Sequence, residues 1–266
     1  MTLLNSPSFR PAPGRPGSDR PLSQEERQAW LEKFHKIKLF KQLPEKQLES
    51  IIPYFAESRF DKETVVFFER DLPSETGSKI YFVLSGCVKL VKYSSDGEST
   101  IVRLASVGEF FGVTGALTDK PYPFSAEVLT NTQVLVIDRA HFIQVVEMLP
   151  QLALEMIVEL GEVLWFNYET HNQVVKKTDA RVSKILLYHL KRDGAEETPE
   201  GLLLKINLPH EYIASMTGIA YEESVRIVSR LKKNYGCINY LRGGKIVITQ
   251  LEKLREVAQA DEAWGF

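Results

Sequence analysis

The sequence predicts an α+β chain in three consecutive parts: a β-roll of jelly-roll type with flanking helices, one long helix, and a winged helix-turn-helix. Three observations carry this. Residues 57 to 140 hold short apolar runs broken by Gly-rich and Asp-Gly turn signals, the pattern of a barrel or sandwich of short strands. Near residue 140 the apolar period changes to steps of three and four, as in a helix. Beyond residue 177, helical stretches and short strands alternate and end in a Gly-Gly hairpin signal.

Each element follows from its own residues. Residues 1 to 22 are rich in Pro, Gly, Ser and Arg without periodicity, and read as a flexible tail. "LSQEERQAWLEKFHKIKLF" sets Trp30, Phe34 and Ile37 at helical spacing, and "LPEKQLESIIPYF" reads as a second helix with Pro44 in its first turn. In the roll, "KIYFVLSGCVKLVKY" reads as two runs broken at Ser85-Gly86, and Asp96-Gly97 as a tight hairpin turn. Gly108, Gly112 and Gly115 mark places where the backbone bends or is closely approached. "FSAEVLTNTQVLVIDRAHF" reads as two further strands. The expected boundaries are a tail at 1–22, a roll with flanking helices at 23–148, a long helix at 149–176 and the winged unit at 177–266.

The long helix carries Ile157, Leu160, Leu164, Asn167, His171 and Val174 at alternating steps of three and four, the spacing of a coiled-coil seam. A homodimer follows from this reading, with Asn167 and His171 fixing register. The alternative is a helix packed on its own sheet.

Composition excludes several classes. With 266 residues, 44% hydrophobic and 26% charged, the chain is an ordinary globular protein with room for one or two cores. Its two cysteines, Cys87 and Cys237, give neither a disulfide framework nor a C-x-x-C metal site. No apolar run reaches the length of a membrane span and no signal peptide opens the chain, so no membrane association and a cytoplasmic location are expected. A metal-dependent cupin enzyme would need histidines on the roll, and residues 57 to 140 contain none. P-loop, dinucleotide and nucleophile-elbow motifs are absent, so no enzyme, metal or cofactor is expected.

The stretch "GIAYEESVRIVSRLKK" carries the functional signal. On a helical wheel Ser224, Ile227, Val228 and Leu231 share one side, the buried one. The opposite side collects Tyr221, Glu222, Val225, Arg226, Ser229 and Lys233. Arginine can donate two bonds to guanine, glutamate can accept from cytosine, and valine can meet a thymine methyl. Ala214 and Gly218 suit a tight turn between crossing helices, the arrangement that places a second helix in the major groove of double-stranded DNA. Arg230 joins the set of expected DNA contacts. Arg242 and Lys245 flank the hairpin turn as phosphate contacts. From Lys176 to Lys253 there are 14 Lys and Arg against 9 Asp and Glu, +5 on a chain of −2 overall. That is the electrostatic footprint of a DNA-binding unit.

Taken together, "GEFFG" in a β-roll, the long helix, "DARV-KILLYHL" and "LPHEYIASMTGIAYEESVRIVSRL" resemble the cyclic-AMP receptor protein/FNR (CRP/FNR) family of bacterial transcription regulators. The resemblance runs from about residue 38 to 250. It implies a cyclic-nucleotide-binding-like roll and a homodimer on a palindromic DNA site, in contact with RNA polymerase. It also places an effector pocket at Gly112, Val113, Phe124, Ser125, Phe166 and Asn167. Here the sequence departs from the cyclic-AMP binders: Val113 stands where their Glu would be and Phe124 where their Arg would be. Ser224 and Val225 also depart from the common pattern of the second helix. A phosphate needs a cation or a nest of amides to replace its water, so control by cyclic AMP in the usual mode is not expected. Such a pocket would suit an apolar or aromatic small-molecule effector, or be filled by its own side chains. An iron–sulfur cluster would need more cysteines, and the five histidines show no ligand spacing.

Overall fold

A computed structural model describes residues 10–11, 22–94, 97, 99–171, 177–241 and 244–259. The chain forms two compact units. The first holds residues up to 160 apart from 100–102, and the second holds 100–102 and the residues from 161 onward.

The first unit opens with β1 (Arg10–Pro11), α1 (Gln24–His35) and α2 (Glu45–Ile51). Ser23 and Glu26 form a reciprocal capping box that fixes the start of α1. The roll follows as β2 (Ala56–Phe60), β3 (Val65–Phe67), α3 (Pro73–Thr76), β4 (Lys79–Tyr93), β5 (Ser99–Ala105), β6 (Phe110–Phe111), α4 (Val113–Thr118) and β7 (Ser125–Asp138). Then come α5 (Arg139–Met148) and α6 (Gln151–His171). The sheet runs β1-β2-β7-β4-β5, with β3 on β7 and β6 on β4.

Three expectations need correcting. Ser85-Gly86 does not end a strand: β4 is continuous over 15 residues and bulges there against β7. Gly86 has φ of 86°, and a Cβ on it would fall onto the Asn131 carbonyl and the Thr132 hydroxyl, so the bulge needs glycine. The two strands expected around 124–138 are likewise one, β7, paired along β4 over most of its length. A bulge bends a strand without breaking its ladder, which a reading of local breakers cannot distinguish from a turn. Residues 10–11, expected within a structureless tail, pair with Ala56 and Glu57 at the sheet edge.

Two aromatic groups fill the first unit. Phe34, Phe40 and Phe55 meet edge to face at 5.0–5.5 Å and join Trp30, Phe82, Phe110 and Phe142 in the main core. Inside the roll a second group forms: Phe67 stacks on Tyr122 at 3.8 Å, and Tyr81 stacks on Phe111 at 4.8 Å. All four are buried.

The second unit contains the last part of α6, then α7 (Thr178–Asp193), β8 (Ala195–Thr198), β9 (Gly201–Leu204), α8 (His210–Thr217) and α9 (Tyr221–Arg230). A wide π turn continues α9 over Leu231–Tyr235. The hairpin β10 (Ile238–Leu241) and β11 (Lys245–Ile248) and the helix α10 (Leu251–Ala258) complete it. The strands order as β10-β11-β9-β8. Residues 172–176, which include Val174, lie outside the described residues, as do Asp96, Arg242 and Gly243.

Candidate nucleic-acid interface

The α8–α9 pair is built by a sharp turn. Gly218 ends α8 with φ of 63°, a left-handed cap that glycine adopts without strain. Its N–H and that of Ile219 return to the carbonyls of Ser215 and Ala214. Ala214 is small and buried at the crossing, and the Thr217 hydroxyl donates to the Ile213 carbonyl. A buried chain of polar groups ties α8 to α7: the Tyr212 hydroxyl lies 2.9 Å from His189 Nε2, and His189 Nδ1 lies 2.7 Å from Asp193. The second helix is thereby held out from the unit by contacts made behind it.

The side of α9 expected to be buried is buried: Ser224, Ile227, Val228 and Leu231 are all at 3% exposure or less. Tyr221, Glu222, Val225 and Arg226 are exposed, Lys233 is exposed beyond them, and Ser229 is half-buried. Lys245 is exposed at the start of β11. The exposed row thus has a phenol, a carboxylate, an aliphatic group and a guanidinium on one side of a helix, a set that can address base edges.

The carboxylate that meets Arg226 is not that of Glu222. Arg226 pairs with Glu223 at 3.2 Å, one helical turn back, while Glu222 points to solvent. Arg230 is also engaged: its Nη1 donates to Asp179 at 2.6 Å, and the Tyr235 hydroxyl donates to the other carboxylate oxygen at 3.2 Å. This carboxylate hydrogen bond pushes the pKa of both the Arg230 guanidinium and the Tyr235 phenol upward, keeping each protonated. Asp179 sits in the first turn of α7, so the cluster fastens the end of the α9 region to the start of α7. We expect Asp179→Asn to lower the unfolding midpoint in calorimetry. By releasing Arg230 toward phosphate, it should also steepen the salt dependence of duplex binding.

The residues assigned to an effector pocket divide between the units. Gly112, Val113, Phe124 and Ser125 belong to the first. Val113 faces the main core rather than the roll interior. The buried Ser125 hydroxyl accepts the Glu69 N–H at 2.9 Å. The buried Tyr122 ring lies so close to Gly115 that a Cβ there would be 2.5 Å from it. Burial pushes the Tyr81 and Tyr122 phenols upward, as expected for rings packed away from water. Phe166 belongs to the second unit and stacks on Tyr188 at 3.4 Å. The Asn167 and His171 side chains lie outside the described residues.

On α6, the side turned away from the core is apolar. Leu154, Ile157, Val158 and Leu164 are each more than half exposed. Leu160, expected in the same row, instead packs inward with Leu149, Leu152 and Met156 against the main core. The exposed row steps through 154, 157, 161 and 164, with Gly161 facing open space.

Comparison with known proteins places these features. The cyclic nucleotide-binding domain family matches residues 57–148, and the Crp-like helix-turn-helix domain family matches residues 180–257. Among curated relatives, the anaerobic regulatory protein of Bacillus subtilis is 25% identical over 209 residues, covering 74% of this chain and 81% of its own. The cyclic AMP receptor protein of Thermus thermophilus is 24% identical over 221 residues, covering 83% and 96%. Among solved structures, FixK2 from Bradyrhizobium japonicum superimposes with a TM-score of 0.64 at 19% identity, covering 77% of this chain and 98% of its own.

Proposed function

This chain belongs to the CRP/FNR family of transcription regulators, a DNA-binding rather than enzymatic family, and from that premise we propose that it acts as a homodimer on a palindromic operator without cyclic AMP. The observation that carries the reading is α9 itself. Its buried side is locked by Ser224, Ile227, Val228 and Leu231, and the opposite side holds out Tyr221, Glu222, Val225 and Arg226. Arg226 reads a guanine, Glu222 selects a cytosine, and Lys233, Lys245 and Arg242 meet phosphates. The exposed apolar row of α6 pairs with its copy in the partner subunit, and the bound dimer contacts RNA polymerase. Selection of bound duplexes from a random pool tests this. A two-fold symmetric consensus is expected with half-sites roughly 34 Å apart, and a consensus without symmetry would overturn the dimeric reading. Repeating the selection with cell extract reports whether an unidentified small molecule changes the result.

The sensory roll supports independence from cyclic AMP. Phe124 itself supplies no cation, the Ser125 hydroxyl is already engaged, Val113 is part of the core, and two stacked aromatic pairs pack inside the roll. We expect cyclic AMP to leave the melting temperature unchanged. A ligand bound at a hundredfold excess over its Kd would add about 2.7 kcal/mol of stability, so a clear upward shift would refute this part of the reading.

A further inference from the structure

The buried side of α9 contains one polar residue, Ser224, and the structure gives it a specific partner. Ser224 is fully buried. Its hydroxyl donates to the His210 carbonyl at 3.2 Å and lies 3.1 Å from His210 Nδ1. Since the hydroxyl proton goes to the carbonyl, the serine oxygen accepts from Nδ1–H. That leaves Nε2 as the unprotonated nitrogen, on another edge of the ring. Two aromatic contacts complete the setting. The imidazole stacks on Tyr240 of β10 at 5.4 Å and meets the edge of Tyr221, the first residue of α9, at 6.0 Å. The ring is half-buried, and burial holds its ionisation below the usual histidine range. The titratable groups facing it are the Tyr221 and Tyr240 phenols, the latter pushed upward chiefly by burial. Among the described residues, no charged side chain is placed to offset the burial. Arg242, two residues beyond Tyr240, lies outside them.

We propose that His210, held by Ser224 between Tyr221 and Tyr240, is a proton-dependent contact to a DNA phosphate at the rim of the α9 interface. The proposal rests on the reading of α9 as the DNA-facing helix. Tyr221 begins the exposed row, so a side chain packed on its edge lies beside that row, where the strand flanking a groove would pass. An alanine at 224 would fit the same buried space, but only a hydroxyl both pins the ring and fixes Nδ1–H. In free protein at neutral pH the imidazole is neutral. A phosphate favours its charged form and raises the ionisation in the complex, so DNA binding takes up a proton. Affinity therefore rises as pH falls through the ionisation of the complex and levels off below that of the free protein.

The interaction is independent of sequence, so an arbitrary duplex suffices as probe. Binding of the full chain to a labelled duplex is followed by anisotropy across a salt series, at about pH 6 and about pH 8, on either side of the usual histidine range. In the wild type, the slope of log affinity against log salt should be steeper at the lower pH by about 0.9 per subunit, one phosphate each. His210→Gln should give the shallow slope at both pH values, and His210→Arg, permanently charged, the steep slope at both. Ser224→Ala, which removes only the hydroxyl from this buried position, should reduce the pH effect while leaving the fold intact by circular dichroism. Subtracting the Gln variant removes contributions from the other histidines. Equal pH dependence in wild type and His210→Gln overturns the proposal while leaving DNA binding standing. No binding to any duplex at either pH overturns the DNA reading as well.

Discussion

Arg226→Ala should cost about 1–3 kcal/mol at each half-site and relax discrimination at a single base pair. The size follows from what the guanidinium has to give up and what it gains. In free protein Arg226 is about 70% exposed and paired with Glu223 one turn back on the same helix. Such an exposed helical pair contributes little, because both groups stay hydrated. Turning the guanidinium from Glu223 to a guanine edge therefore sacrifices little and gains two directed bonds at a base. Alanine removes both the gain and this small cost, so nearly the whole gain is lost. Lys233→Ala should behave differently. An exposed lysine beyond the end of α9 addresses phosphate alone, so affinity should fall alike for all sequences, and the salt slope should drop by about 0.9 for each phosphate left without its lysine. Binding measured against the selected site and single-base variants separates the two. If Arg226→Ala kept the full preference at every position, another residue of the exposed row would be the reader.

The position of Arg226 was legible in the sequence because a helix writes its geometry locally. The repeat at 224, 227, 228 and 231 fixes which side is buried, and the exposed side follows. Its partner was legible in principle too: Glu223 and Arg226 are three apart, the spacing of neighbours on a helix surface. Other features carried no local signal. Asp179 reaches Arg230 across 51 positions, and His210 reaches Ser224 across two helices and Tyr240 across the wing. The edge strand β8, "AEET", has no apolar alternation, because only its pairing with β9 makes it a strand. In the roll, periodicity located the strands but read the bulge at Gly86 as an end. Val113 and Phe124 argued against a nucleotide by charge alone. That Tyr122 stacks on Phe67 and packs against Gly115 is a fact of packing, and no spacing in the sequence announces it.

Ile157→Asp combined with Leu164→Asp should turn the protein into a folded monomer and weaken operator binding by about 10²–10⁴-fold. Both residues are more than half exposed on α6, so charge at these positions removes nothing from the first unit's core. Leu160→Asp is the contrasting variant, since that side chain packs against the core and its replacement should destabilise the fold itself. Four large apolar side chains on one side of a single helix form a surface that a monomer rarely leaves open to water. In a symmetric pair, the row 154, 157, 161, 164 would meet its own copy, and Gly161 would let the two backbones approach closely. The drop in DNA affinity then needs no damage to α9. One half-site anchors the dimer, and the second is engaged at high effective concentration. Separate monomers bind each half-site independently and forgo that advantage. Sedimentation should report the halved mass, and circular dichroism an unchanged fold. A double variant that sediments as the wild type does would place the dimer elsewhere, and a monomer with wild-type operator affinity would show that a single recognition helix suffices.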